Sequence, residues 1–418
     1  MTIKLEAWGE TIEQFGAEQA RALAETGLVT VQIHEPPDSW RLRADSRIGI
    51  VAGDGWEVRV SPALEVPKLM FLLGYAADPS GWRDAIAAFS ADPDLFAAIA
   101  SGFAFHAERA LSPAPIRGYI TAEDQSTTLR GRLRFPDQIA RWPGLPIPLE
   151  ISYDDYTDDI AENRLVRGAA ELLLRFPRIP VLARKRLLRV RATLEEVAPA
   201  APGPDVESPE VTRLNDRYGA ALKLAELILR STSITTLEGQ VSSVAFVFDM
   251  NKVFEDFLSA VLQRALQRRG GQVRLQYGRE HLDLQRRIRL IPDISWWHGN
   301  TCAGVVDAKY KPLEDARFPN ADAYQMLAYC TAFGLSHGYL VYARDALKND
   351  RQHRVRNGDV TIDVRTIDVE LEPDLLLDQV DQLARRIVAA RHASVAQTPK
   401  AAAASMARRA GSVGSARQ

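Results

Sequence analysis

The spacing of apolar and polar residues divides the chain into two regions of different texture. Over the first 230 residues, short strand-like and helical stretches mix. "TIEQFGAEQARALAE" (11–25), "KLMFLLGYAADP" (68–79, stopping at Pro79) and "PDLFAAIASGFAFHAERAL" (93–111) carry helical apolar spacing. "IGIVAGDGWEVRVSP" (48–62) reads as two strands around an Asp-Gly turn. "YITAEDQSTTLRGRLRF" (119–135) reads as a hairpin with Arg130, Arg132 and Arg134 on one face. A helix capped by Asp158 or Asp159 is expected through Leu174, a very basic one over 181–197, and one from Ser208 to Arg230. The polar stretch "STSITTLEGQ" (231–240) marks a boundary.

Beyond it the order simplifies. An apolar helix (245–268) precedes strands at 272–277, 287–297 and 302–311, a helix at 321–334, strands at 337–344 and 359–369, and a final helix at 372–391. Helices interleaved with strands in this order describe an α/β sandwich. The last stretch is basic, lacks acids and has little to bury, so it is expected to be a disordered tail.

Composition narrows the function classes. With 46% hydrophobic and 25% charged residues, the 418-residue chain can form two or three globular domains. A net charge of -2 means that any nucleic-acid face must be local. Cys302 and Cys330 form no CxxC pair, which speaks against a thiolate zinc site and fits a reducing, cytoplasmic setting. No apolar run is long enough to span a membrane. No GxxxxGK[ST] phosphate loop is present, so the chain does not load a nucleotide by that route.

The stretch with the most chemistry is "RLIPDISWWHGNTCAGVVDAKYK" (289–311). If the turn centres on Asn300, Asp293 falls opposite Asp307, and directly opposed residues have Cβ atoms about 5 Å apart. Lys309 shares the face of Asp307. As a bare match, the pattern is more simply two strand-end acids and a surface lysine. Three neighbours favour a metal site instead. Asp307 sits inside the apolar run "CAGVVDA", where an unpaired acid is costly. Gln325 and Tyr329 stand at i, i+4 on the following helix. Glu255, between Phe254 and Phe257 on the preceding helix, could reach over the sheet edge, though alone it reads as a solvated residue. Two carboxylates this close repel, and a divalent cation such as Mg²⁺ removes the penalty. The lysine could then stabilise charge developing on a phosphoryl group.

"IPDISWW…GVVDAKYK" followed by "YQMLAY" resembles the PD-(D/E)xK nuclease core with its QxxxY helix. More narrowly, the chain is similar to the McrC family, the nuclease subunits of McrBC modification-dependent restriction systems. The likeness extends to "VPKLMFLLGYA" (66–76), "TLRGRLRF" (128–135), "YDDYTDDIAENRLVRGAAELLL" (153–174) and "NKVFEDFL" (251–258), and so covers roughly residues 50–390.

The resemblance implies fold class α/β (α+β). A mixed β/helical partner-docking domain would occupy 1–235, a restriction-endonuclease-like α/β sandwich 236–392 and the basic tail 393–418. It implies a Mg²⁺-dependent DNA endonuclease, acting on double-stranded DNA with 5-methylcytosine-type modification. That enzyme would work with a McrB-like AAA+ GTPase ring whose hydrolysis it stimulates. Asp293, Asp307 and Glu255 would be the metal ligands, with Lys309 and Gln325 completing the catalytic set. Arg130, Arg132, Asn163 and Arg164 are candidates for stimulating the partner, because a cation or amide near a γ-phosphate acts in trans. The alternative keeps the same catalytic residues in a stand-alone nuclease of DNA repair or defence.

Overall fold

A computed structural model describes residues 1–77, 94–203, 205–206, 209–237, 240–313, 319–345 and 350–391. Pro79, Ser208 and the tail from 393 onward, all invoked above, lie outside these residues. The chain divides into two compact units, Met1–Ser61 with Ala87–Val247 and Pro62–Ile86 with Phe248–Gln418. The break after Val247 falls later than the boundary expected at 235. Residues 62–77 also fall in the second unit.

In the first unit a five-stranded sheet has the order Thr2–Glu6, Trp56–Ser61, Arg47–Gly53, Gln240–Asp249, Thr232–Leu237. The expected Asp-Gly hairpin forms its middle. The polar stretch at 231–240 holds a strand rather than a break: Thr232–Leu237 pairs antiparallel with Gln240–Phe246. Gly49 has φ 140°, and a Cβ there would lie 1.9 Å from the carbonyl oxygen of Phe246, so only glycine lets these two strands approach.

Residues 10–14 form a strand and the helix begins at Ala17, because "ETIEQ" alternates before the helical spacing starts. Helices Leu95–Leu111, Ala161–Leu174, Val181–Thr193 and Gly219–Arg230 pack on one another, and Leu95–Leu111 meets the sheet at Arg47–Gly53. Neither Asp158 nor Asp159 caps the second of these; Ile160 holds the cap position. The basic helix is a solvated bundle member, since Arg186 and Arg189 both pair with Glu108.

The expected hairpin at 119–135 is instead a three-stranded sheet. Leu149–Thr157 runs down the middle, with Gly118–Ser126 and Arg132–Leu133 on its flanks. Gly131 breaks the second half at φ 75°, so Arg130 lies outside any strand.

The second unit holds helix α1 (Val66–Ala77), α2 (Met250–Gln267), strands β1 (Gln272–Leu275), β2 (Ile294–His298) and β3 (Thr301–Leu313), α3 (Asn320–Phe333), β4 (His337–Asp345), β5 (Arg351–Arg354), β6 (Thr361–Thr366) and helix α4 (373–391). The expected helix 245–268 begins only at Met250, where Asp249 caps it by accepting from the Asn251 N–H, because "VAFVF" before it is strand.

The sheet order is β1-β2-β3-β4-β6-β5. β1–β2–β3 is an antiparallel meander, and β3, β4 and β6 are parallel. Both faces are covered, which is why "GVVDA" is apolar without alternation. Val305 packs among Met326, Tyr329, Leu340 and Tyr342 under α3. On the other face, Phe254 of α2 meets Tyr310 at 6.3 Å, and Phe257 sits 5.6 Å from Phe71 of α1.

Trp296 fills this second face at 1% exposure, its indole donating to the Gly270 carbonyl at 2.8 Å. Replacing it with alanine is expected to cost about 3–5 kcal/mol by urea denaturation, since both a large cavity and an unpartnered carbonyl result.

Candidate active site

The β2–β3 turn is Gly299-Asn300, and the strands pair Ile294 with Val306 and Ser295 with Val305. That register carries Asp293, one residue before β2, to the position opposite Asp307. A bulge between Trp296 and Trp297 shifts the pairing nearer the turn but leaves the acid end untouched.

The Asp293 carboxylate accepts the Ala308 N–H at 2.8 Å. This fixes it beside Asp307, which is only 1% exposed. The Lys309 ammonium stands 2.6 Å from Asp307 Oδ2. It lies off the direction a hydrogen bond needs, so this buried oxygen has an ion-pair partner but no aligned donor. Lys309 also donates to Gln325 Oε1 at 3.2 Å. Gln325 in turn donates to the Tyr329 hydroxyl at 2.9 Å, and that hydroxyl donates to the Ile291 carbonyl at 3.0 Å. The i, i+4 pair on α3 is therefore a relay from the lysine to the backbone just before Asp293.

Burial, followed by the neighbouring Asp307 charge, pushes the Asp293 carboxyl up to about 7. Burial likewise holds the Asp307 carboxyl above its ordinary range, although Lys309 opposes the shift. Burial pulls the Lys309 ammonium down, but Asp307 outweighs it and the net direction is upward. The three groups share a surplus of negative charge, and the acids bear its cost.

Glu255 does not join them directly. It projects from α2, whose neighbours Phe254 and Phe257 pack into the core, and its carboxylate is held at the sheet edge by Lys252 at 3.0 Å and Gln276 at 2.7 Å. It is near enough to raise the Asp293 carboxyl. Among the described residues no group of three or more His, Cys, Asp and Glu side chains is already arranged around one point as metal ligands. The donor set thus consists of two hard carboxylates, Asp307 buried with one oxygen that lacks an aligned donor and Asp293 half-buried, with a third acid at the edge. Such a set fits a divalent cation that completes its shell with water and phosphate oxygens.

Sequence reading passed over Asp322. It is 6% exposed, takes the Tyr342 hydroxyl at 2.6 Å and pairs with Lys311 at 2.7 Å. The signal was available, because Asp322 precedes Gln325 by three helical positions and Lys311 shares the face of Lys309.

The residues proposed to act on a partner are scattered. Asn163 is fully buried; its amide donates to the Ile116 and Asp158 carbonyls and its oxygen accepts from Tyr218. It therefore ties the helix to its surroundings and is not available to a second protein. Arg164 is engaged by both oxygens of Asp159. Arg130 lies over the Tyr153 ring at 4.0 Å. Arg132 is exposed on the 118–157 sheet.

A family model described as "McrBC 5-methylcytosine restriction system component" matches residues 42–343. The chain belongs to this family. Its sequence-based resemblance is therefore borne out at family level, and the protein is a subunit of an McrBC-type restriction system. A comparison with curated proteins found no match. Among solved structures, a chain from the Thermococcus gammatolerans assembly of McrB AAA+ hexamers with bound McrC is similar at 17% identity. That likeness covers 93% of this chain and 100% of that one with a TM-score of 0.58, and it shows a shared mixed α/β fold. A second chain, from the cryo-EM structure of the T. gammatolerans McrBC complex, is 20% identical over 64% of this chain and 88% of that one, with a TM-score of 0.39. No helix among the described residues is long and apolar enough to cross a membrane.

Proposed function

We propose that this subunit is the Mg²⁺-dependent DNA endonuclease of its restriction system, and that it cuts modified double-stranded DNA under control of an AAA+ GTPase partner. The observation that carries this reading is half-buried Asp293 set beside buried Asp307, with Lys309 between Asp307 and Gln325. Asp293 and Asp307 would hold the cation, with Glu255 adding a carboxylate from the sheet edge. When bound, Mg²⁺ neutralises the acids and withdraws charge from the scissile phosphate. The Ala308 N–H keeps Asp293 oriented. Lys309, fixed by Asp307 and Gln325, offers a cation to the charge that gathers on the phosphoryl oxygens during attack. Burial of Asp307 limits the screening of its charge by bulk water.

The first unit supports the need for a partner. Its 118–157 segment exposes Tyr119 at 75%, Phe135 at 64% and Ile139 at 68%. Large apolar side chains exposed this fully on one segment are the kind that a partner surface covers. The structures of T. gammatolerans McrB hexamers with bound McrC supply a matching type of partner.

Plasmid cleavage with the cognate GTPase, GTP and Mg²⁺ tests the reading. Wild-type protein is expected to linearise methylated plasmid, and Asp307→Ala to lose at least about a thousandfold of that activity. Full cleavage by Asp307→Ala overturns the assignment. Robust cutting by the purified chain without nucleotide or partner favours the stand-alone nuclease instead.

A further inference from the structure

Gln276 follows directly on the edge strand β1, whose last ladder pair is Leu275 with Ile294. Its φ is 45°, in the left-handed region that glycine enters freely and glutamine seldom does. From this position Gln276 makes two bonds. Its backbone N–H donates to the Asp293 carbonyl at 2.9 Å, and its side-chain amide donates to Glu255 Oε1 at 2.7 Å. One residue thus joins the backbone of one acid to the carboxylate of another.

The two acids come from different layers. Asp293 leads into β2 on the α3 side of the sheet, whereas Glu255 belongs to α2 on the opposite side. Packing of α2 on β1 and β3 sets the helix against the sheet, and the Gln276 link acts on the Glu255 side chain itself. The other donor to Glu255 Oε1, Lys252, is half-exposed and shared with Asp256 at 2.9 Å, so it is a less constraining partner. Both donors engage Oε1, and no donor among the described residues engages Oε2.

We infer that Gln276 is a positioning residue that holds Glu255 in register with Asp293, so that the third carboxylate can complete the divalent-cation site. The inference rests on the metal-site reading above and adds to it the residue that sets the geometry. The unusual φ follows from that role, because the left-handed step ends the strand where the side chain reaches α2. Partners that orient a metal-binding carboxylate usually change metal affinity by about 10- to 100-fold.

Glycine separates backbone from side chain here, since Gln276→Gly accepts the same φ without strain and removes only the amide. The experiment is a Mn²⁺ titration of the full chain followed by electron paramagnetic resonance, with thermal unfolding alongside. Gln276→Gly is expected to weaken Mn²⁺ binding by about tenfold or more while the melting temperature stays equal or rises. In a Glu255→Ala background the same substitution should have no further effect, because its route through Glu255 is gone. Mn²⁺ affinity within twofold of wild type for Gln276→Gly overturns the inference, as does an undiminished effect in the Glu255→Ala background. Failure of the underlying reading looks different: Asp307→Asn would then bind Mn²⁺ as wild type does.

Discussion

Replacing Asp293 with asparagine is expected to abolish DNA cleavage while making the cation-free protein more stable. A merely structural acid would not behave this way. Asparagine keeps an oxygen for the Ala308 N–H and removes one of the charges that burial and Asp307 oppose. The sign follows from proton linkage. The folded carboxyl is pushed up to about 7, against about 3.9 for a solvated aspartate. Between those values the folded protein holds a proton that the unfolded chain has released. Stability in EDTA therefore falls as pH rises through that window and is level above it. The asparagine variant should lose this slope and gain about 1–3 kcal/mol at pH 8, after allowance for partial solvation. Added Mg²⁺ should stabilise the wild type at pH 8 and have little effect at pH 5. Urea denaturation in EDTA at the two pH values, beside plasmid cleavage, checks all of these. A variant less stable than wild type at pH 8 would show that Asp293 is structural.

Lys309→Ala should also impair cleavage but have the opposite effect on stability. Its ammonium neutralises Asp307, which is almost wholly buried, and steadies Gln325. Removing one member of a buried pair leaves the other uncompensated, which costs about 2–4 kcal/mol once the partial exposure of the lysine is considered. Asp307, already held above the ordinary carboxylate range, escapes part of that cost by taking up a proton. The loss should therefore be larger at pH 8 than at pH 5. Cleavage should fall by about 100- to 1000-fold, as for loss of one preorganised donor to a developing oxyanion. A Lys309→Ala protein that cuts at the wild-type rate would remove the lysine from the chemistry.

The opposed stability signs make the pair informative. Asp293 is an acid that the fold tolerates at a cost, and Lys309 is the group that limits the cost. The arrangement has unused capacity for one more positive charge, which is the physical content of the Mg²⁺ assignment.

Much of this site could be read along the chain. Asp293 opposite Asp307 needed only a two-residue turn and the alternation of side chains. The bulge at Trp296–Trp297 lies between the acids and the turn, and the register at the acid end matched the expectation. Gln325 beneath Lys309 followed from the order of strand and helix. Other features depended on long-range pairing. The 118–157 segment has a strand arriving from Leu149–Thr157 between two pieces that looked like partners of each other. Asn163 carried the signature of a surface group until Tyr218, 55 residues away, was found to donate to it from the core.

What the sequence by itself determined is local and periodic: the helices with unbroken apolar stripes, the β2–β3 hairpin, the register that opposes the acids and the face shared with Lys309. Each of these is set by neighbours within a turn or a hairpin, where repeat and spacing are enough. Tertiary structure alone decided how much water the acids lose, that Glu255 is held at the sheet edge, and that Gln276 joins it to Asp293. Those outcomes come from elements on opposite faces of one sheet. Burial and cross-sheet distance depend on which faces close together, and residue spacing along the chain does not encode that.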